Sequence, residues 1–527
     1  MTGSDQQVAD LARGPSDARA APARLGAAAI VGWMIAALTV VRLITAALVG
    51  LDMDGTYSAI MGRTWSLSYF DHPPVHYWMI YLSTHLFGSE APWVVRLPFI
   101  LLFAGSSWLM FRVVAIAHSL RAGLWAAVAL NLCGAFTLSY SWFVVPDGPL
   151  LFFLLLAAYP LSLLAFGEPE RHPRLYWLGT GAAGGAAILS KYIGVFFFAG
   201  AFLFLLTTPR LRRQLLTPGP WLGLVAALLV FSPVLIWNAQ HQWVSFVFQG
   251  VRALPLNGGW NHFTGSIVGQ LGYLVPWFGL WMAFVLVKSA LRGPADQPRW
   301  FFVCLATGPI VVFTTLNLLQ QGSPHWTMPG WLFVLALLGI EVAEMTVAAR
   351  AWMTRLAVLA GLCVALGFAG LVVQVRTGAL TEMAGQYVEI GKLSRREPST
   401  DLLDWTPVRT EMERRGLTKD VAFVAGIFTL PTTKIGYAFG PSYPLLCLCY
   451  KTDMHHFSFE QNEQAFAGKN GFVVVYASEE AAISHGMAEN FERFEPPVRV
   501  TVNRGATPAL QFSVFKGIGF KPFRHLD

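Results

Sequence analysis

The chain contains 527 residues, of which 55% are hydrophobic and only 13% are charged. Soluble domains carry roughly 25% charged residues, so this composition excludes a single soluble globule. Long apolar segments recur and the five cysteines are spread thinly, which also excludes a disordered chain and a disulfide-stapled mini-protein.

The net charge of +7 comes entirely from the apolar part of the chain. Residues 376–527 contain 17 basic and 17 acidic side chains, whereas residues 1–375 contain 20 basic and 13 acidic ones. Basic residues between apolar segments usually report membrane orientation. The excess therefore indicates a cytoplasmic face and does not require a nucleic-acid partner.

Residues 26–375 contain many apolar segments long enough to cross a bilayer, which takes about 20 residues in a helix. The sequence predicts a mostly α, polytopic membrane protein with about eleven transmembrane helices. The fifth and sixth segments are short and meet at Lys191, which predicts either a tight turn or one long kinked helix. The eleven segments lie near residues 26–49, 94–113, 121–140, 148–167, 176–190, 192–208, 219–237, 266–287, 300–317, 327–347 and 356–375.

The distribution of basic residues predicts the orientation of these helices. With segment 1–25 in the cytoplasm, fifteen basic side chains of residues 1–375 lie on that side, and three, Arg63, Lys191 and Arg252, lie on the other. The positive-inside rule therefore predicts a cytoplasmic N-terminus. Segment 1–25 lacks the plan of a signal peptide, so the first apolar segment is expected to stay in the membrane.

Two outer loops and a polar region complete the plan. The loop at 50–92 is rich in aromatic residues, and its stretches Tyr57–Trp65 and Val75–Phe87 are amphipathic, which predicts helices lying along the membrane interface. The second outer loop spans 238–265. An odd number of spans places residues 376–527 in the periplasm.

Residues 376–527 are predicted to form a small α/β domain. Short β-rich runs alternate with charged helical segments in this part of the chain. The predicted strands lie at Val421–Phe428, Tyr443–Tyr450 and Gly471–Tyr476, and the predicted helices at Val408–Arg415 and Glu479–Phe491.

Cys447 and Cys449 stand in one of these strands as Cys-Leu-Cys. Both side chains then point to one face, which allows a disulfide. The ring would be small and strained, so two separate core residues are the expected arrangement. No Cys or His partner stands nearby at zinc-finger spacing, and a metal site built on this pair is not expected.

Few carboxylates of the apolar part reach the predicted outer face: they are Asp52, Asp54, Asp71, Glu90 and Asp147. Asp54, Asp71 and Asp147 lie at interface depth beside helix ends, where a charge without a task is costly and tends to face a cavity. The alternative for each is a helix cap or a solvated loop residue, and Asp147 before its apolar segment suits an N-cap.

Several short motifs occur in an informative order: Asp54-Gly55-Thr56-Tyr57, Tyr69-Phe70-Asp71-His72-Pro73-Pro74, Arg96-Leu97-Pro98, Pro146-Asp147 and Ser190-Lys191-Tyr192. This order resembles bacterial membrane glycosyltransferases of the GT-C class, the relatives of protein O-mannosyltransferases and of the aminoarabinose transferase that modifies lipid A. The resemblance runs from the first span to about His325-Trp326 and covers the C-terminal region only in general plan.

The resemblance implies the GT-C fold and a defined reaction. A sugar moves, with inversion at the anomeric carbon, from a polyprenyl-phosphate donor to a lipid, glycan or protein acceptor at the outer face of the inner membrane, and lipid A or lipopolysaccharide core is the expected acceptor. Such a reaction needs a carboxylate to take the acceptor's proton and cations to hold the phosphate, whose charge grows in the transition state. Asp54 occupies the family's first-loop position and is assigned as general base, with Asp147 as a second catalytic candidate.

The outer cations are the expected ligands of the donor phosphate. Lys191 is the foremost, although snorkelling to the lipid headgroups is the alternative for a lysine at a helix end. His72, Arg63 and Arg252 are the others. In the aminoarabinose transferase an acidic residue and Lys precede Pro-Pro, whereas this chain has Asp71-His72, and a neutral imidazole replaces that cation only in part.

The cofactor is left open, with a divalent metal ion as the candidate. Most members of the family have Glu after the first-loop Asp, whereas Gly55 follows Asp54 here, which removes one carboxylate from that position. Asp71, Tyr57, His262 and His325 are carried as candidate ligands of substrate or metal, although a lone loop histidine is more often structural.

Two other functions suit a polytopic chain. A lipid or solute transporter is disfavoured because the sequence shows no inverted repeat and concentrates its polar groups on one face. A subunit for assembly of an envelope polymer would have its active part in the exported domain. The carboxylates of that domain form no recognisable motif.

Overall fold

The computed structural model describes residues 26–167, 173–251, 258–381, 398–449, 455–482 and 488–522. Helices dominate residues 26–381, and a mixed β-sheet with short helices follows in residues 398–522, here called the C-terminal region. The predicted fold class is thereby confirmed. The helices of the apolar part are α1 (Ala27–Leu48), α2 (Met53–Met61), α3 (Val75–Phe87), α4 (Pro92–Ala117), α5 (Leu120–Leu132), α6 (Asp147–Phe166), α7 (Pro173–Ser190), α8 (Phe196–Thr207), α9 (Pro218–Gln240), α10 (Val244–Val251), α11 (Trp260–Tyr273), α12 (Pro276–Arg292), α13 (Gln297–Leu316), α14 (Met328–Glu344) and α15 (Val347–Thr377).

Seven helices of the described part are long and apolar enough to cross a membrane: α1, α4, α6, α9, α13, α14 with the turn before it, and α15. A bilayer allows such helices because every backbone hydrogen bond is satisfied within the segment. Helices α11 and α12 form an eighth candidate that is bent by 109° at its break. The chain is therefore a multi-pass membrane protein.

The predicted number of eleven spans is not confirmed, although every predicted segment contains a helix. Helices α5 and α8 belong to the shorter apolar class of 10–17 residues. The predicted third span continues from α5 into a π-helix at Ala135–Tyr140. The predicted eighth span is the bent pair of α11 and α12.

Lys191 lies in a break between two helices. Its backbone is extended, with φ −158° and ψ 136°, and a 3₁₀ turn at Tyr192–Val195 leads into α8. The chain then folds back on α7, because a Cβ on Gly194 would lie 2.6 Å from the Ala187 backbone. Of the two alternatives left open by the sequence, the structure has the tight turn.

Small residues bring α7 and α9 into close contact. A Cβ on Gly181 would stand 1.8 Å from the Gly223 carbonyl oxygen, and one on Gly185 would stand 2.5 Å from the Ala227 carbonyl oxygen. Helices in membranes commonly pack backbone to backbone across such small-residue stripes. This contact fixes the end of α7, where Lys191 follows.

The end of α1 is held by the buried guanidinium of Arg96 from α4. Arg96 donates hydrogen bonds to the Val49 carbonyl at 2.7 Å and the Gly50 carbonyl at 2.6 Å, and it stacks 4.3 Å from the ring of Trp142. Carbonyls at a helix C-terminus lack intrahelical partners and favour a nearby cation. Arg96 thereby orients the start of the loop that carries α2.

The first outer loop differs from the prediction. Helix α2 ends at Met61, short of the predicted end at Trp65, and its residues from Gly55 to Met61 are all buried. It packs against a helix of the C-terminal region. Helix α3 matches the predicted Val75–Phe87 and is buried on one face.

The C-terminal region contains a six-stranded mixed sheet in the order β2-β1-β3-β6-β4, with β5 also paired to β6. Strand β1 pairs in parallel with β2 and β3, and the pairs made by β6 are antiparallel. Its helices are α16 (Thr406–Arg414), α17 (Thr429–Phe439) and α18 (Phe457–Glu460), and its strands are β1 (Phe423–Gly426), β2 (Leu445–Cys447), β3 (Gly471–Tyr476), β4 (Phe491–Phe494), β5 (Val498–Arg504) and β6 (Thr507–Phe520).

The C-terminal region shares a hydrophobic core with the ends of the spans. Ala46, Trp142 and Phe368 of the apolar part pack in one cluster with Trp405 and Met412. The backbones also approach closely, since a Cβ on Gly50 would lie 2.6 Å from the Leu402 carbonyl oxygen. The sheet region is therefore seated directly on the membrane helices.

Cys447 and Cys449 are joined as a disulfide, and both are buried. The expectation of two separate core residues is therefore wrong. The bridge closes at the end of β2, where Thr429 and Thr432 at the start of α17 face the two sulfurs at 3.9 and 3.8 Å. Cys133 and Cys304 are free and buried, whereas Cys363 is free and exposed.

Candidate active site

The start of α2 carries the proposed base. Asp52 precedes the helix and caps it, because its carboxylate accepts a hydrogen bond from the Gly55 N–H at 3.2 Å. The Met53 N–H donates to Asp401 of the C-terminal region at 3.2 Å. Asp54 follows in the first turn, with a side chain that is only partly covered by protein. Two parts of the chain therefore fix the backbone that presents Asp54.

The carboxylates around this helix start interact unfavourably. Partial burial and the negative charge of Asp401 raise the pKa of Asp54. Burial raises the pKa of Asp52 to about 6, although the positive charge of Arg96 acts against this shift. A carboxylate with a raised pKa is a stronger base once it is ionised, which suits proton abstraction by Asp54.

A second group of residues surrounds Asp71 and is here called the Asp71 cluster: Asp71, Tyr57, Gln249 and His455. The Asp71 carboxylate is buried, accepts a hydrogen bond from the Tyr57 hydroxyl and lies 2.8 Å from His455 Nδ1. Gln249 of α10 donates to the Asp71 backbone carbonyl at 2.6 Å. The two outer loops and the C-terminal region therefore meet at Asp71.

Hydrogen bonds keep the Asp71 carboxylate ionised. Burial by itself would raise the pKa of Asp71, but the hydrogen bond and charge of His455 outweigh it, helped by His72 and Tyr57, so the pKa lies below its usual value. Burial and the Asp71 charge hold the pKa of Tyr57 well above its usual value. Tyr57 is therefore a hydroxyl donor in this arrangement.

A third group, here called the Lys191 cluster, contains Lys191, Asp147, His72 and His325. Lys191 Nζ lies 2.7 Å from Asp147 Oδ2, and both side chains are about nine-tenths buried, with 10% and 8% exposed. His72 and His325 lie within electrostatic range of the Asp147 carboxylate. The cluster brings a lysine and two imidazoles to the end of the bundle where α6 begins and α7 ends.

Asp147 is engaged differently from a helix cap. It is the first residue of α6, Pro146 holds the cap position, and the Asp147 carboxylate binds Lys191. Lys191 in turn does not extend to a headgroup layer, since its ammonium is buried against Asp147. The pair uses one of the three protons of the ammonium, so two donors remain for another acceptor.

His76 is a buried imidazole beside this cluster that the sequence did not single out. Its ring centre lies 5.8 Å from that of His72 and 3.7 Å from that of Tyr77. Burial and the positive charges of His72 and Lys191 hold the pKa of His76 well below its usual value. His76 is therefore neutral here and adds no charge to the Lys191 cluster.

Three of the predicted site residues remain to be placed: Arg63, His262 and Arg252. Arg63 forms a bidentate pair with Glu90 at 2.8 and 2.7 Å, so its guanidinium is already engaged. Within the described ranges, no hydrogen bond or ion pair joins His262 of α11 to the Asp71 or Lys191 cluster. Arg252 lies outside the described residues.

No metal-binding group emerges among the residues that the structure describes. No set of three or more His, Cys, Asp or Glu side chains there is arranged to hold a metal ion. Asp71 faces His455, while His325 lies near Asp147.

Sequence reasoning missed His455, and no local signal would have revealed it. His455 is one of two consecutive histidines in a polar segment, and its partner Asp71 lies 384 positions earlier. Only the folded structure shows this contact, because folding brings the two distant residues together. Asp54 and Tyr57 lie three residues apart on α2, so both belong to its first two turns.

The segment of the chain that contains these site residues resembles a known protein family. Residues 71–237 match the family of dolichyl-phosphate-mannose-protein mannosyltransferases. The matched segment begins at Asp71 and includes Asp147 and Lys191. It therefore contains the central residues of both clusters.

Individual related proteins support the same resemblance to membrane glycosyltransferases. A lipid A galacturonosyltransferase, RgtD, of Rhizobium johnstonii is 24% identical over 275 residues, which cover 50% of this chain and 55% of the relative, so the match spans about half of that protein. ArnT of Cupriavidus metallidurans, solved with undecaprenyl phosphate, superimposes with a TM-score of 0.65 at 15% identity over 94% of this chain and 100% of ArnT. Its apo structure gives 0.62. The resemblance to GT-C glycosyltransferases is confirmed, and the chain has their fold.

Proposed function

We propose that this protein transfers a sugar from a polyprenyl-phosphate donor to an envelope acceptor at the periplasmic face of the inner membrane. The observation that carries this proposal is the buried Lys191–Asp147 pair with His72 and His325, which gathers a lysine and two imidazoles at one end of the helix bundle in a fold shared with ArnT. ArnT was solved with undecaprenyl phosphate bound, which supports a lipid-phosphate ligand. The similarity to a lipid A galacturonosyltransferase supports lipid A or lipopolysaccharide core as the acceptor.

The proposed reaction inverts the anomeric carbon in one displacement. Asp54 takes the proton of the acceptor hydroxyl, whose oxygen attacks the anomeric carbon from the face opposite the phosphate. The bond from that carbon to the phosphate oxygen breaks, and its electron pair leaves with the carrier phosphate. Lys191 donates its remaining protons to the phosphate as the negative charge grows, and a protonated His72 adds a second donor.

Asp147 has a supporting role in this scheme. A lysine buried without a counter-charge tends to lose its proton, because burial disfavours the charged form. Asp147 balances the charge of the Lys191 ammonium and holds it in one place through their 2.7 Å contact. The Lys191 cluster is thereby preorganised before the donor arrives.

The proposal is tested in a strain that lacks the gene, by mass spectrometry of its envelope lipids. Loss of a sugar-sized mass from one lipid, restored by the wild-type gene, identifies the acceptor. The Asp54→Asn variant should fail to restore it, because removing a general base costs about 100-fold or more in rate. Asp404→Asn is the matched control, since Asp404 is exposed and accepts a hydrogen bond from the Thr406 N–H at the start of α16, which Asn can also accept.

Two results would contradict the proposal. Envelope lipids unchanged by the deletion would overturn the lipid acceptor. Near-normal restoration by Asp54→Asn, in protein that is inserted at the wild-type level, would overturn Asp54 as the base.

A further inference from the structure

The C-terminal region reaches the Asp71-His72 loop through two consecutive histidines. His455 Nδ1 lies 2.8 Å from the Asp71 carboxylate. His456 Nδ1 accepts a hydrogen bond from the Phe70 N–H at 3.1 Å, and the His456 N–H points to the Tyr57 hydroxyl at 3.4 Å. Each contact falls on a residue of the Asp71 cluster or its direct neighbour.

The backbone of His455 indicates that this placement is enforced. Its φ is +47°, in the left-handed region that residues with a side chain rarely adopt. Such a conformation costs about 1 kcal/mol or more and persists only where the surroundings hold it. The surroundings here are Asp71 and the rings of Phe70 and Phe248, whose centres lie 6.5 and 5.8 Å from that of His455.

The Asp71 side is equally constrained. Asp71 is 4% exposed, and its two carboxylate oxygens go to different partners, one to His455 and one to Tyr57. A carboxylate held from both sides has a fixed orientation. The next residue, His72, belongs to the Lys191 cluster, so one peptide unit joins the fixed Asp71 to that cluster.

We propose that His455 is a positioning residue, through which the C-terminal region sets the geometry of the Asp71-His72 loop for binding the donor phosphate. The inference rests on the proposed function, in which that loop belongs to the phosphate site. His455 acts through Asp71 and does not itself touch the reacting atoms. The C-terminal region then contributes to the function of the site, although the sequence motifs that predicted the site lie in the first outer loop and the spans.

The test measures binding of undecaprenyl phosphate to the purified full-length protein in nanodiscs. His455→Ala should weaken binding about 10-fold or more, because a hydrogen bond to a charged group is lost. His455→Asn should restore most of the affinity, since its side-chain N–H can occupy the place of Nδ1–H. His85→Ala is the matched control, because His85 is an exposed histidine of the same loop whose hydrogen bond stays within α3.

Kinetic measurements distinguish a positioning role of His455 from a general loss of protein stability. With a lipid-phosphate sugar as donor, His455→Ala should raise the donor KM and leave the acceptor KM and the melting temperature near the wild-type values. Wild-type affinity in His455→Ala, or equal losses in His455→Ala and His455→Asn, would overturn the inference. A lowered melting temperature with both KM values raised would also overturn it.

Failure of the proposed function would look different. In that case the wild-type protein transfers no sugar from any lipid-phosphate donor. The binding series with undecaprenyl phosphate still decides the role of His455, because it does not depend on turnover.

Discussion

Lys191 and Asp147 illustrate how much a single buried residue pair determines in this protein. Their ion pair is removed from water, and burial of two charges costs more than burial of apolar groups unless the charges remain paired. The pair is neutral as a unit, so its value for an anionic ligand depends on the unused protons of Lys191. Stability and function therefore place different demands on the same two residues.

A double-mutant cycle separates the contribution of Lys191 and Asp147 to stability from their contribution to function. Lys191→Met and Asp147→Asn should each destabilise the protein by about 3 kcal/mol, because each alone leaves a buried polar or charged group without its partner. The double variant should recover most of the stability and still fail to bind undecaprenyl phosphate. Thermal unfolding in detergent and ligand binding, measured on the four proteins, check this.

The double variant is the decisive member of the cycle. Binding that returns together with stability would mean that Lys191 is purely structural. Stability that does not return would mean that the pair contributes more than mutual neutralisation.

At the scale of an element, helix α2 depends on the ionisation of its cap. Asp52 is 6% exposed, and burial raises its pKa to about 6. The folded state therefore disfavours ionised Asp52, so stability is lost as the pH rises from about 4, where the unfolded residue ionises, through 6. Above pH 6 the loss is complete, and about two pKa units correspond to about 3 kcal/mol.

Asp52→Asn tests this ionisation. Asn can accept the same hydrogen bond from the Gly55 N–H and carries no charge, so it keeps the cap and removes the penalty. The melting temperature of the variant should exceed that of the wild type by more at pH 8 than at pH 5. A difference independent of pH would show that the Asp52 charge is not destabilising.

The elements that the sequence predicted well are those with a strong local signal. Long apolar segments such as α1 and α15 must be helical in a membrane, whatever their neighbours are. Helix α17 was missed because Thr429, Thr432 and Thr433 are poor helix formers, and it is stabilised instead by burial against α2. Strands β5 and β6 were also missed, because their pairing depends on β3.

The site residues divide in the same way: their identity has a local signal in the sequence, whereas their pairing depends on tertiary contacts. Asp54, Asp71, Asp147 and Lys191 stood out because a charge in an apolar stretch is rare, and no neighbour had to be known. The sequence around each of these residues does not show which partner it binds. The partners of Asp71 and Lys191 come from other elements, and only packing brings His455 to one and Asp147 to the other.

At the scale of the whole molecule, the charge distribution predicts the orientation. A reporter that works only outside the cytoplasm, fused after Arg376 at the end of α15, should be active. The same reporter inserted in the turn between α12 and α13, at Gly293–Asp296, should be inactive, because Lys288, Arg292 and Arg299 place that turn on the basic side. The opposite pair of activities would contradict the predicted orientation, and equal activities would contradict the predicted span count.

The close approach of Gly50 to Leu402 has a consequence for biosynthesis. The loop that carries Asp54 leaves the ribosome early, whereas Leu402, Asp401 and His455 follow after hundreds of further residues. At about 5–20 residues per second, this delay amounts to roughly 20–70 s. A nascent or truncated chain therefore holds its membrane helices without a finished reaction centre. Enzymatic competence arrives as the last event of maturation, when the tail closes over the first loop.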